Sequence, residues 1–233
     1  MISFIIPCYN EDQYIRDCIR SIKEAASNIQ YEIIVVDNNC TDNTADIARD
    51  EGVIVIAEDR KGVVFARQAG YENAKYDLIA NIDADSRIPQ EWVDVALNHI
   101  QNEKVAAVTG PLVYDDASIS LRAATRLYYY IAYFSNLFIG VFLQGGNCLI
   151  KKKYLDELNG YDTSIAFYGE DTMTAKRLYE HGKIKFLMNL NLYSSSRRLQ
   201  KQGVMKTTWL YLINYFYVTF RNKSYSNDYK DFR

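Results

Sequence analysis

Short apolar runs alternate along the first half of the chain with longer stretches in which apolar positions recur every three or four residues. Residues 2–6 (ISFII), 32–36 (EIIVV), 53–57 (VIVIA), 78–82 (LIANI) and 105–109 (VAAVT) predict strands. Helical spacing fills the gaps, over 13–27, 43–51, 62–74 and 90–101. Thr41 or Asp42 precedes the second of these helices and Gly52 follows it, which marks both ends. Strand–helix alternation of this kind predicts an α/β sandwich with a mainly parallel sheet.

The second half is less regular. A short helix is predicted from Lys152, another from Thr172 to His181 closed by Gly182, and a strand near 184–188. Leu127 to Leu143 carries no charge, but it is Tyr-rich and shorter than the ~20 residues of a spanning helix. In Thr207 to Phe220, the residues Trp209, Leu212, Ile213, Phe216 and Phe220 fall on one helical face. Two readings stand for these stretches. Either both pack on the domain, or they lie at a membrane surface beside Arg197, Arg198, Lys201, Lys206, Arg221 and Lys223. The polar tail, Asn222 to Arg233, is expected to be poorly ordered.

Length and composition narrow the class. A chain of 233 residues with 48% apolar content fits one large domain or one domain with an appendage. The expected division is 1–198, with halves 1–110 and 111–198, followed by 199–233 as an amphipathic helix and tail. A net charge of -2 gives no basic excess for nucleic acid. Cys8, Cys18, Cys40 and Cys148 are scattered, which predicts reduced thiols and a cytoplasmic protein rather than a zinc site or disulfides. The chain opens directly on a strand-like run, leaving no room for a cleavable signal peptide.

In a parallel sheet, ligands gather beyond the carboxyl ends of the strands. Pro7-Cys8-Tyr9-Asn10-Glu11 follows the first strand, Asp37-Asn38-Asn39-Cys40-Thr41-Asp42 the second, and Asp83-Ala84-Asp85 the fourth. Each loop has a local use: Asn10 and Asp12 as helix caps, Asp37 as an Asx turn, the Asp pair as a solvated turn. Three polar loops on one sheet edge point instead to a site. Paired carboxylates there call for a cation, and a hard divalent metal carrying a diphosphate is one such partner.

The ordered set of strings resembles the family 2 glycosyltransferases, inverting enzymes with the GT-A nucleotide-sugar fold. It comprises F-I-I-P-C-Y-N-E at 4–11, E-I-I-V-V-D-N-N-C-T-D-N-T at 32–44 and R-K-G-V-V-F-A-R-Q-A-G at 60–70. N-I-D-A-D at 81–85, Q-G-G-N-C at 144–148 and G-Y-D…Y-G-E-D-T at 160–172 complete it, over roughly residues 1–198. The resemblance implies that Pro7, Tyr9, Glu11, Asp37 and Asn39 border the nucleotide, with Asp37 accepting from the base. That favours a UDP-sugar, with a GDP-sugar as the other candidate. Arg67 is implied as a cation near the nucleotide; its local alternative is an exposed helical arginine.

Asp83, Ala84 and Asp85 are implied at the ribose and diphosphate, with Asp85 and Asp83 holding Mg²⁺ or Mn²⁺. Asp171 is implied as general base, with Glu170 orienting the acceptor or tuning Asp171; both also suit a helix N-terminus. Gly145, Gly146 and Asn147 are implied beneath the donor sugar, and Arg197 and Arg198 near the substrate. The chain departs from the family where a third metal ligand, commonly His, is expected: 193–198 holds Tyr, Ser and Arg. It also lacks the Gln-x-x-Arg-Trp string of processive synthases, so one transfer per encounter to a glycan or lipid-linked acceptor is expected. The expected place of action is the cytoplasm, including the membrane face. A nucleotidyltransferase and a catalytically silent nucleotide-sugar binder are the alternatives; the first would want a Gly-rich basic loop in place of P-C-Y-N-E.

Overall fold

A computed structural model describes residues 1–165, 168–221 and 223–225. Seven strands form the main sheet: β1 (Ile2–Cys8), β2 (Tyr31–Asp37), β3 (Ile54–Ala57), β4 (Leu78–Ile82), β6 (Val105–Thr109), β8 (Asn147–Lys151) and β9 (Lys183–Phe186). Their spatial order is β3-β2-β1-β4-β8-β6-β9. All pairings are parallel except those of β8, which runs antiparallel to β4 and β6. A second, three-stranded sheet sets β10 (Leu192–Ser194) between β5 (Ser86–Arg87) and β7 (Leu112–Val113).

The central strands read as unbroken apolar runs because helices cover both faces. β6 is buried at every position, whereas edge strand β3 is exposed at both ends. On one face, α1 (Ile15–Ala25) buries Ile15, Cys18, Ile19 and Ile22, one stripe at helical spacing. Beside it α4 (Trp92–Ile100) contributes Trp92, which is fully buried. On the other face, α3 (Val63–Asn73), α6 (Lys152–Glu157) and α7 (Glu170–Tyr179) pack on Ile5, Ile34, Ile79 and Ile150. The remaining helices are α2 (Thr44–Asp50), α5 (Ile119–Ile139), α8 (Arg197–Gln202) and α9 (Val204–Arg221).

Strand order reverses between β1 and β4: the chain runs outward from β1 through β2 to β3, then crosses to β4. A crevice opens at such a reversal, at the carboxyl ends. Here Pro7 and Cys8 end β1, and Asp83 follows β4 directly.

The expected elements of the first half are present with ends shifted by a few residues. β1 and β2 extend further to Cys8 and Asp37, and the helices lose a residue or two at each end. The two aromatic stretches differ more. α5 begins at Ile119, ahead of the uncharged run, buries Tyr129 and Ala132, and exposes Leu127, Ile131, Phe134, Leu137 and Phe138. α9 packs on α7, with Val218 buried against Met173 and Ile165 and Lys176 Nζ donating to the Thr219 carbonyl at 2.8 Å. Among its described side chains Thr207, Asn214 and Val218 are buried, while Trp209, Phe216 and Phe220 are exposed; the Leu212 side chain lies outside those described. Among the described residues, no helix is long and apolar enough to cross a membrane. The polar tail lies outside the described residues except for 223–225.

Candidate functional site

A cavity of about 520 Å³ lies over the carboxyl ends of β1 and β4, roofed by α5, α8 and α9. That size is within the range of ordinary ligand pockets. At its floor, Asp83-Ala84-Asp85 forms the turn between β4 and β5. The Asp83 N–H donates to the Gly146 carbonyl at 3.3 Å and the Asp85 carbonyl accepts from the Ser195 N–H at 3.3 Å, so loops on both sides fix the turn.

Each aspartate meets an arginine. Arg67 Nη2 donates to Asp83 Oδ1 at 3.3 Å, and Arg197 Nη2 donates to Asp85 Oδ2 at 3.1 Å. Arg67 is not the exposed helical residue of its local reading; it is 4% exposed, on the buried side of α3. Its Nη1 also donates to Glu170 Oε1 at 2.8 Å and Asp171 Oδ1 at 3.0 Å. One guanidinium thus clasps three carboxylates from β4 and α7, separated in sequence by up to 104 residues.

Two acidic groups so close do not both ionise freely. Burial, then the neighbouring Asp171 charge, push the Glu170 carboxyl well above its usual range, although Arg67 pulls the other way. Burial also opposes ionisation of Asp171, but the hydrogen bond from Glu170, the Arg67 charge and the Gly145 N–H outweigh it and hold Asp171 low. Within the pair these surroundings favour the proton on Glu170 and the charge on Asp171.

Gly145 and Gly146 are required by this closeness. A Cβ at Gly145 would stand 1.9 Å from Asp171 Oδ1 and 2.5 Å from Arg67 Nη1. At Gly146 it would stand 1.9 Å from Asp83 Oδ2. Asn147, expected against the substrate, is fully buried instead. Its amide donates to the carbonyls of Leu190 at 2.8 Å and Pro111 at 3.2 Å, and its Oδ1 accepts from the Trp92 indole at 2.8 Å. Those bonds join β8 to α4 and to the loops flanking the small sheet, and the side chain does not reach the cavity.

Around the β1 end, Pro7, Tyr9 and Glu11 line the cavity. Lys61 Nζ lies 4.5 Å above the Tyr9 ring. Glu11 is 3% exposed and is held by Arg197 Nη2 at 2.5 and 2.6 Å. Asp37 and Asn39 are turned to the loop: Asp37 Oδ1 accepts from the Cys40 N–H at 2.8 Å, and Asn39 Nδ2 donates to the Asp59 carbonyl at 2.9 Å. The residue between them, Asn38, forms the wall. It is buried, donates to the Glu58 and Arg60 carbonyls at 2.7 Å each and accepts from the Gly62 N–H at 2.9 Å. Arg198 lies on the opposite side, its guanidinium 5.3 Å from the Tyr168 ring centroid and 5.6 Å from that of Tyr211.

Asn38, Lys61 and the tyrosines Tyr114, Tyr128, Tyr211 and Tyr215 line the cavity without having been singled out as site residues. For the tyrosines the signal was present as clustered aromatics; for Asn38 it lay one position from the residues chosen. His181 is engaged elsewhere, with Nδ1 2.7 Å from Glu157 Oε2. Among the described residues, no three His, Cys, Asp or Glu side chains converge as metal ligands. Asp85 and Asp83 still offer hard carboxylate oxygens with partial exposure at the cavity, the donor type a divalent cation with diphosphate takes.

An α/β sandwich with its mainly parallel sheet reversing at this crevice is the GT-A architecture. Its similarity to solved structures includes the mannosyltransferase PcManGT from Pyrobaculum calidifontis in complex with GDP-Man and Mn2+, at TM-score 0.73 and 18% identity, over 96% of this chain and 65% of that one. The description "Glycosyl transferase family 2" matches residues 3–158, and the chain belongs to that family. Among curated relatives, glycosyltransferase AglE of Haloferax volcanii is 32% identical over 116 residues, 47% of this chain and 38% of that protein. The poly-beta-1,6-N-acetyl-D-glucosamine synthase of Staphylococcus aureus is 26% identical over 203 residues, 79% of this chain and 47% of that protein. The matched part of this chain thus spans less than half the length of either relative.

Proposed function

We propose that this chain transfers a single sugar, with inversion, from a nucleotide-diphosphate sugar to an acceptor hydroxyl. The observation that carries the reading is the Arg67 clasp, which holds Asp171 and Glu170 side by side within a cavity floored by Asp83-Ala84-Asp85, in surroundings that favour the charge on Asp171 and the proton on Glu170. A carboxylate so placed removes the acceptor proton while the acceptor oxygen attacks the anomeric carbon. Pro7, Tyr9 and Glu11, together with Asn38, supply the donor-nucleotide wall, and Gly145 and Gly146 keep backbone close beneath the donor sugar. Asp85, with Asp83, is the proposed holder of Mg²⁺ or Mn²⁺, which when bound supplies positive charge to the leaving diphosphate. Arg197 and Arg67 bring fixed positive charge to the same end.

A UDP-sugar as the favoured donor, with a GDP-sugar second, rests on the family resemblance and not on Asp37, whose Oδ1 accepts from the Cys40 N–H; a glycan or lipid-linked molecule is the acceptor. The proposed place of action is the cytoplasm, including the membrane face; the exposed apolar residues of α5 and α9 support a peripheral contact there. The experiment is a panel of UDP- and GDP-sugars with Mn²⁺, reading release of the nucleoside diphosphate. Release from at least one donor is expected. Pyrophosphate release from a nucleoside triphosphate, with no donor turned over, would replace this reading with nucleotidyl transfer.

A further inference from the structure

The cavity has a second half that the donor does not explain. Beyond the carboxylate floor it runs between α5 and α9, where Tyr114, Tyr128, Tyr211 and Tyr215 form its walls. We infer that this tyrosine-walled half is a subsite for the terminal pyranose ring of a neutral glycan, which presents one hydroxyl to Asp171. The inference rests on the sugar-transfer reading above and names the acceptor class for that same site.

Position comes first. Tyr114, Tyr128, Tyr211 and Tyr215 line the same cavity as Asp83, Asp85 and Asp171. The aromatic walls are therefore continuous with the carboxylates at which donor and base meet. One turn before Tyr128, α5 presents Ala124 and Thr125 to the cavity, small residues that leave room for a ring.

Chemistry comes second. A pyranose has an apolar C–H face and a rim of hydroxyls, and tyrosine offers an aromatic face with one hydroxyl. Burial pushes the Tyr128 hydroxyl up to about 12 and that of Tyr114 higher still, so both stay protonated and can donate as well as accept.

The need for a base decides between acceptors. Asp85 and Asp171 at the floor are each bound by an arginine, Arg197 at 3.1 Å and Arg67 at 3.0 Å, so those guanidinium charges are already engaged by carboxylates. Arg198, the cation on this side, is stacked on Tyr168 and Tyr211 and donates to the Tyr168 hydroxyl at 3.0 Å. A phosphate acceptor is already ionised and gains nothing from a carboxylate base, whereas a sugar hydroxyl requires one. In the step itself, the acceptor oxygen–anomeric carbon bond forms and the anomeric carbon–phosphate oxygen bond breaks. The hydroxyl proton passes to Asp171, and the bonding pair leaves with the nucleoside diphosphate.

The test is direct binding. Nitrophenyl glycosides of glucose, galactose, mannose and N-acetylglucosamine are titrated by calorimetry, with farnesyl monophosphate as the lipid-phosphate probe. UDP and GDP are titrated on the same samples. At least one glycoside is expected to bind, about tenfold more weakly to Tyr211→Leu and within about threefold to Tyr211→Phe. Nucleotide affinity should be unchanged in both variants. Tyr211 is 40% exposed on α9, so its replacement leaves the core intact. Nucleotide binding without any glycoside binding would overturn the subsite and leave the donor reading standing. Glycoside affinity indifferent to Tyr211→Leu, or farnesyl monophosphate as the ligand lost, would overturn it equally. Failure of both UDP and GDP to bind would remove the donor reading and the subsite with it.

Discussion

Arg197 and Asp85 face each other at 3.1 Å, so the second carboxylate of the Asp-Ala-Asp turn carries an internal counter-cation supplied by α8. The same guanidinium holds the buried Glu11. Any divalent ion taken up at Asp85 has to share or displace that contact. Arg197→Gln should therefore bind Mn²⁺ more tightly than the wild type in calorimetry without nucleotide. It should also lose about 3 kcal/mol of stability in urea unfolding, because the buried Glu11 loses both of its bonds to the Arg197 guanidinium. Equal Mn²⁺ affinity in both proteins would count against Asp85 as the ligand.

The Glu170–Asp171 pair makes a prediction about pH. Asp171 is held below its ordinary 3.8, so its stabilising contribution is present above that value and is lost as pH falls through the lower folded value. Glu170 is held above its ordinary 4.5, so its contribution is full below 4.5 and is lost as pH rises through the higher folded value. With Asp171 as the base and Glu170 as its hydrogen-bond donor, kcat should show an acid limb as Asp171 takes a proton and an alkaline limb as Glu170 loses its own, both as properties of the pair. Glu170→Gln keeps a hydrogen-bond donor to Asp171 but has no proton to lose. Its alkaline limb should vanish while the acid limb remains, and an unchanged alkaline limb would assign that limb to another group.

Gly145→Ala tests the packing behind the pair. The new Cβ would need the space of Asp171 Oδ1 and Arg67 Nη1, so the clasp must open. A loss of about a hundredfold in kcat is expected, since misplacing a base by about 1 Å has that order of effect. Wild-type kcat in this variant would mean that the clasp is not needed for turnover.

Much of the fold was legible because its strands are buried on both faces and its helices on one, which writes two distinct periods into the chain. β4 lies at Leu78–Ile82, where the apolar run placed it. α9 reads less well because its buried stripe includes polar residues that bond within the helix. Asn214 Nδ2 donates to the Leu210 carbonyl at 2.8 Å and Thr207 Oγ1 to the Gly203 carbonyl at 3.0 Å. Satisfied this way they go inside, and the large aromatics are left outside. In the site, the Asp-Ala-Asp turn announced itself by following a strand. The clasp did not, since nothing in local spacing shows that Arg67 meets residues more than a hundred positions away. Asn147 was implied beneath the donor sugar by the family resemblance alone, and its buried bonds to Trp92 and Leu190 emerge only in three dimensions.

The exposed aromatics of α9 predict a membrane signal that one residue can report. Of the two tryptophans, Trp92 is fully buried and Trp209 is 66% exposed. In a Trp92→Phe background, vesicles containing phosphatidylglycerol should shift Trp209 emission to the blue. Phe216→Ser with Phe220→Ser should reduce vesicle co-sedimentation several-fold, roughly in proportion to the apolar area lost. Unshifted emission and undiminished co-sedimentation would exclude α9 as the membrane contact.

The central claim is that Asp171 is the base of a sugar transfer. It is tested most directly by comparing wild type and Asp171→Asn for nucleoside diphosphate release, at saturating donor and with a glycoside acceptor. The account predicts unaltered nucleotide affinity and a kcat lower by about a thousandfold. Wild-type turnover by Asp171→Asn would contradict it.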